Sequence, residues 1–110
     1  MKNVLFVCGK ARMRSPTAAD IVAEWPGFIT DFAGLSRDAD EMLSSEQVEW
    51  ADLIVVMDRR QKKRLNDQFG HLVGNTKTVV LGIPDRFEYM APALVDLMMP
   101  KLRQVLGVPD

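Results

Sequence analysis

Four short apolar runs separated by amphipathic stretches predict an α/β domain: a four-stranded parallel sheet, strand order 2-1-3-4, with helices on both faces. Two observations carry this expectation. The runs Val4-Leu5-Phe6-Val7 and Leu53-Ile54-Val55-Val56-Met57 are continuously apolar and not alternating, as strands covered on both faces are. The stretches between the runs place apolar residues at helical spacing, and strand–helix–strand units close right-handed into parallel sheets.

The elements follow in order. The first run ends at Cys8. Ser15-Pro16-Thr17 opens a helix, with Ser15 suited to the N-cap and Pro16 to the first helical position, where a missing N–H is no loss. Ala18, Ile21 and Val22 continue it toward Trp25-Pro26-Gly27. Phe28 to Phe32 alternates large apolar with small or polar residues, a second strand. Ser44 to Trp50 is a short helix with Val48 on its apolar side. After the third strand, Asp58 caps a charged helix from Arg59 to Phe69, and His71 falls in a surface loop between Gly70 and Gly74. Thr78 to Leu81 is the fourth strand. Ala91 to Leu106 closes the chain as a helix that Pro100 should kink or break.

With 110 residues, 47% hydrophobic and 26% charged, the chain fits one domain spanning 1–110. Lys plus Arg is 14 and Asp plus Glu is 15, a net charge of -1 that argues against a nucleic-acid binder working through bulk charge. The basic run Arg59-Arg60-Gln61-Lys62-Lys63-Arg64 reads as a solvated helix face. No apolar run suits a signal peptide or membrane span. A lone cysteine, unable to form an internal disulfide, fits a reducing cytoplasm. No clustered Cys or His suggests a metal, and no cofactor motif is present.

In parallel α/β sheets, ligands sit beyond the carboxyl ends of the strands. The loop after the first strand reads Cys8-Gly9-Lys10-Ala11-Arg12-Met13-Arg14-Ser15-Pro16. Wrapped between a strand and a helix N-terminus, such a loop turns backbone N–H groups inward and adds partial positive charge, which favours anions and a thiolate. Arg14, six positions after Cys8, can hold two oxygens of a tetrahedral oxyanion in its planar fork. The Ser15 hydroxyl is placed to hydrogen-bond the sulfur.

Val4 to Cys8 followed by Arg14-Ser15-Pro16-Thr17-Ala18 resembles the low-molecular-weight protein tyrosine phosphatase family. Ala33-Gly34-Leu35-Ser36 is similar to the family's segment after its second strand, and Trp50 to Asp58 to its third strand and the acidic residue that follows. The chain is shorter than typical members, with part of their carboxy-terminal region expected to be missing. Three positions depart from the family pattern: Ala11 stands where Asn usually helps hold the loop's shape, Lys10 where Gly is usual, and Phe32 near a common Ser. The resemblance implies Cys8 as nucleophile, Arg14 as phosphate clamp, and Gly9, Lys10, Ala11, Arg12, Met13, Arg14 and Ser15 as the substrate-binding loop.

Expelling an alkoxide or phenoxide needs a proton donor. The family takes it from an Asp-Pro pair on a late loop. Here Ile83-Pro84-Asp85-Arg86-Phe87 follows the fourth strand at the same sheet edge, so Asp85 is the candidate acid, in the order Pro-Asp. Phe87 and Tyr89 are positioned either to stack on an aromatic substrate or to pack their loop onto the core. The function expected is a phosphatase acting on a phosphorylated protein or small phosphomonoester. A catalytically weak phosphate- or phosphopeptide-binding module, an arsenate reductase using an external thiol and a cysteine phosphocarrier domain are the alternatives. An internal disulfide relay is excluded by the single cysteine.

Overall fold

A computed structural model describes residues 1–109. Four strands, β1 (Lys2–Cys8), β2 (Phe28–Gly34), β3 (Leu53–Val56) and β4 (Lys77–Val80), alternate with four helices, α1 (Arg14–Ala23), α2 (Ser45–Trp50), α3 (Arg59–Val73) and α4 (Pro92–Leu106). The sheet is entirely parallel in the order β2-β1-β3-β4, as expected. The switch in order lies at β1, so the loop leaving it opens into the crevice at the sheet's carboxyl edge.

Side chains along a strand alternate between faces, and the central strands use both. Val4, Phe6, Leu53 and Val55 pack under α1 and α4 with Leu94, Met98 and Leu102. Leu5, Val7, Ile54 and Val56 pack under α2 and α3 with Val48 and Leu65. Phe6, Leu5 and Ile54 are wholly buried, and each such side chain contributes roughly 1.5–3 kcal/mol of burial free energy. This two-sided core explains why the runs are continuous and not alternating.

Several boundaries depart from the sequence reading. Helix α3 continues through Gly70 and His71, because Leu65, Phe69, Leu72 and Val73 keep one face against the sheet. His71 is therefore an exposed residue of its last turn and not a loop residue. Helix α4 runs unbroken through Pro100. Pro100 is on the exposed side, as is Asp96, whose carbonyl loses its helical donor there and can turn to water. Ser44 caps α2 with a complete capping box through Gln47.

Candidate active site

The loop from Gly9 to Met13 joins the end of β1 to α1. Its shape is imposed from outside by the segment that follows β2. Leu35 N–H donates to the Cys8 carbonyl at 3.0 Å, Ser36 N–H to the Gly9 carbonyl at 2.9 Å, and Asp40 N–H to the Lys10 carbonyl at 2.9 Å. A trans peptide holds its C=O and N–H on opposite sides. Three carbonyls tied outward therefore turn the amides of Gly9, Lys10 and Ala11 inward. Ala11 N–H accordingly donates to Cys8 Sγ at 3.2 Å.

Gly34 makes this bracing possible. A Cβ there would lie 2.6 Å from the Gly9 oxygen, 2.7 Å from the Ala39 Cβ and 3.0 Å from the Ala11 nitrogen. Two exposed ion pairs extend the brace: Lys10 Nζ lies 3.3 Å from Asp38, and Arg12 Nε 2.9 Å from Asp40. The hydrogen bond and charge of Lys10 hold the Asp38 carboxyl below its ordinary range, and Asp40 raises the Arg12 guanidinium in the same way.

Cys8 is buried at the floor, with the Ser15 Oγ 2.9 Å from its sulfur. Ser15 is not the N-cap. Met13 holds that position without a side-chain hydrogen bond, and Ser15 is the second helical residue, its hydroxyl spent on Cys8. Pro16 remains in the first turn, where N–H groups have no helical acceptor anyway. Thr17 links α1 to the late loop: its hydroxyl donates to the Met13 carbonyl at 2.7 Å and accepts from Met90 N–H at 3.0 Å.

Arg14 is only 4% exposed and is held from two segments, the N-cap of α3 and the loop after β4. Its Nη1 donates to the Ile83 carbonyl at 2.7 Å and to Asp58 Oδ2 at 3.2 Å. Its Nε lies 3.7 Å from Asp85 Oδ1, a carboxylate whose side chain is 69% exposed. Asp58 caps α3 as expected, through a bond from Gln61 N–H to Oδ1 at 3.0 Å, and its other oxygen braces Arg14. Buried Gln61 accepts from Met57 N–H at 2.9 Å.

Cys8, Arg14 and Asp85 thus line one cleft of about 460 Å³, together with Ser36, Arg60 and Arg64. The sequence reading missed Ser36, Gln61, Arg60 and Arg64 as cleft residues. Asp58-x-x-Gln61 was a legible cap signature, but nothing local signalled the rest. Phe87 and Tyr89 do not line the cleft. Phe87 packs on the α1/α4 core beneath the Arg86 guanidinium, 5.6 Å from its ring centroid. The Tyr89 hydroxyl donates to the Asp20 carboxylate, a bond that raises the phenol above its ordinary range. Among the described residues no group of three or more His, Cys, Asp or Glu is placed to hold a metal ion, and no helix is long and apolar enough to cross a membrane.

No protein-family model and no curated protein sequence matches the chain. Solved structures do. Wzb from Vibrio vulnificus, solved with benzylphosphonate, superposes with a TM-score of 0.79 at 20% identity, covering 96% of this chain and 97% of that one. The low-molecular-weight protein tyrosine phosphatase SP-PTP from Streptococcus pyogenes gives 0.78 at 16% identity, over 97% and 92%. The arginine phosphatase YwlE from Geobacillus stearothermophilus gives 0.72 at 20% identity, over 97% and 94%. The chain has the low-molecular-weight protein tyrosine phosphatase fold. Its matches extend over nearly all of those chains.

On this phosphatase fold the departure at Ala11 acquires a physical meaning. Ala11 has φ 59°, a left-handed conformation that Asn tolerates and Ala resists. The backbone braces from residues 35 to 40 over-determine the loop and hold Ala11 there without the usual Asn side chain.

Proposed function

We propose that the protein is a cysteine-dependent phosphatase that hydrolyses phosphotyrosine or a related phosphomonoester through a cysteinyl-phosphate intermediate. The observation that carries this reading is the convergence of Cys8, Arg14 and Asp85 on one cleft whose floor is a loop of inward amides. Two groups are aimed at the sulfur, the Ala11 N–H at 3.2 Å and the Ser15 hydroxyl at 2.9 Å.

In this reading the phosphoryl oxygens sit on the loop amides and on the Arg14 guanidinium, whose Nη1 is anchored by Ile83 and Asp58 and whose Nε lies 3.7 Å from Asp85. The Cys8 thiolate attacks phosphorus. The S–P bond forms as the P–O bond to the leaving group breaks, and Asp85 gives that oxygen its proton. Water then attacks the cysteinyl phosphate, losing its proton to Asp85, and the S–P bond returns its electrons to Cys8. Ser15 stabilises the departing sulfur. Arg14 and the amides supply the charge neutralisation, so the reaction calls for no metal. The free thiol of Cys8 suits a reducing cytoplasmic setting.

Purified protein should release phosphate from p-nitrophenyl phosphate, and an acid-quenched reaction should carry one phosphoryl group on Cys8 by mass spectrometry. Cys8→Ser should lose both. Equal turnover by wild type and Cys8→Ser would remove Cys8 from the mechanism, and vanadate binding without turnover in the wild type would leave a phosphate-binding module.

A further inference from the structure

The substrate-class reading developed here rests on the proposed phosphatase activity. Helix α3 opens with Arg59, Arg60, Lys62, Lys63 and Arg64, five of the chain's 14 cations in six positions. All five are exposed, and among the described residues none has a carboxylate within ion-pair distance. The loop cations Lys10 and Arg12 behave differently, each being paired with an aspartate. The surface therefore neutralises its loop cations internally and leaves those of α3 without a carboxylate, Arg64 donating to the Leu35 carbonyl at 3.2 Å.

That placement opposes helix stability. Cations near a helix N-terminus oppose the macrodipole, and apart from the N-cap Asp58 the start of α3 holds no acidic residue. Arg60 and Arg64 are four apart, as are Arg59 and Lys63, so like charges also repel along the helix. An anionic partner removes both penalties.

The five cations divide between two clefts. Arg60 and Arg64 line the cleft that holds Cys8. Arg59, Lys62 and Lys63 line a second cleft with Asn66 and one carboxylate, Asp67, so three cations face one anion there; it reaches Val80 on the edge strand β4. The two lie on either side of one helix, roughly 10 Å across with its side chains. An extended peptide covers that distance in about three residues, at about 3.3 Å each. A compact phosphomonoester seated over Cys8 does not reach the second cleft. The net charge of -1 also disfavours nucleic acid, which needs a broader cationic surface. Among the described residues no aromatic side chain lines the catalytic cleft, so charge and not ring stacking is the recognition on offer there. We infer that the preferred substrate is a phosphorylated residue within an acidic peptide segment, carboxylates about three to four positions away docking on Arg59, Lys62 and Lys63.

The experiment compares two phosphotyrosine peptides that differ only in Glu or Gln at the flanking positions, with p-nitrophenyl phosphate as reference. For wild type, kcat/KM should favour the Glu peptide by about 5–10-fold at low salt, the worth of two or three exposed charge pairs. The preference should shrink toward unity at about 0.3 M salt, where screening is strong. The double variant Lys62→Glu/Lys63→Glu should lose the preference and keep its p-nitrophenyl phosphate activity within about twofold, since neither residue touches the catalytic cleft. Equal kcat/KM for the two peptides in wild type overturns the inference while leaving the phosphatase reading intact. Should p-nitrophenyl phosphate not turn over, that reading fails separately, and fluorescence anisotropy decides the docking with the same peptides carrying a phosphonomethyl group. Tighter binding of the Glu form, lost in the double variant, supports it; equal binding overturns it. Inhibition by tripolyphosphate that is unchanged in the double variant, with no peptide preference, would assign the cations of the catalytic cleft to small polyanions instead.

Discussion

Replacing Gly34 with alanine tests whether the close approach of β2 to the loop after β1 holds that loop in shape. The added methyl would sit 2.6 Å from the Gly9 oxygen and 2.7 Å from the Ala39 Cβ. Carbon atoms pack best at about 3.5–4.0 Å, so the second contact alone is short by about 1 Å. Neither partner has a torsion with which to retreat. The Gly9 oxygen accepts from Ser36, and the Ala39 methyl is fixed to a backbone that donates to Ser36 O. Overpacking typically costs about 1–3 kcal/mol, and with backbone on both sides Gly34→Ala belongs at about 3 kcal/mol. Separating the layers also stretches the bonds to the Cys8 and Gly9 carbonyls, releasing the amides from their inward orientation. The assay is urea unfolding by circular dichroism, joined to the rise in Tm produced by saturating phosphate. Gly34→Ala should lose about 3 kcal/mol, lower Tm by about 12 °C and abolish the phosphate-dependent rise. The control is Gly70→Ala in α3, where nothing lies within 4 Å and the change should be stabilising by about 0.5–1 kcal/mol. A Gly34→Ala protein within about 0.5 kcal/mol of wild type, with its phosphate response intact, would refute the bracing argument.

Two further outcomes follow from the same geometry. Asp85→Asn should slow hydrolysis of an alkyl or unsubstituted phenyl phosphate by about 10²–10⁴-fold in kcat/KM, and that of an activated aryl phosphate much less, because a good leaving group departs unprotonated. A uniform loss across a leaving-group series would make Asp85 a structural partner of Arg14. At the loop, Ala11→Gly removes a buried methyl but also relieves the left-handed conformation, worth about 1–2 kcal/mol, so it should be nearly neutral. Ala18→Gly in α1, also buried but helical, should cost about 2 kcal/mol; equal losses at the two sites by urea unfolding would show that Ala11 is unstrained.

The sequence by itself determined the sheet. Continuous apolar runs suit only strands buried on both faces, and the helical periodicity between them leaves a parallel, doubly covered arrangement as the way to bury both. The Cys8, Arg14 and Ser15 spacing was legible for a similar reason, since a strand-to-helix turn is local and its residues meet wherever the rest of the chain goes. The tertiary structure decided what depends on distant neighbours. Ser15 read both as a cap and as a partner of the sulfur; the helix starts at Arg14, with Met13 as its N-cap, so only the bond to Cys8 remains. Helix α3 outlasts Gly70 because the packing of Leu72 and Val73 outweighs a weak local propensity. The brace on the loop comes from residues 35 to 40, and the brace on Arg14 from Asp58 and Ile83, contacts between segments dozens of residues apart. Local periodicity reports which faces are buried. The partner each buried polar group finds is set only when the strands take their order, and that order brings the cap of α3 and the loop after β4 to the end of β1.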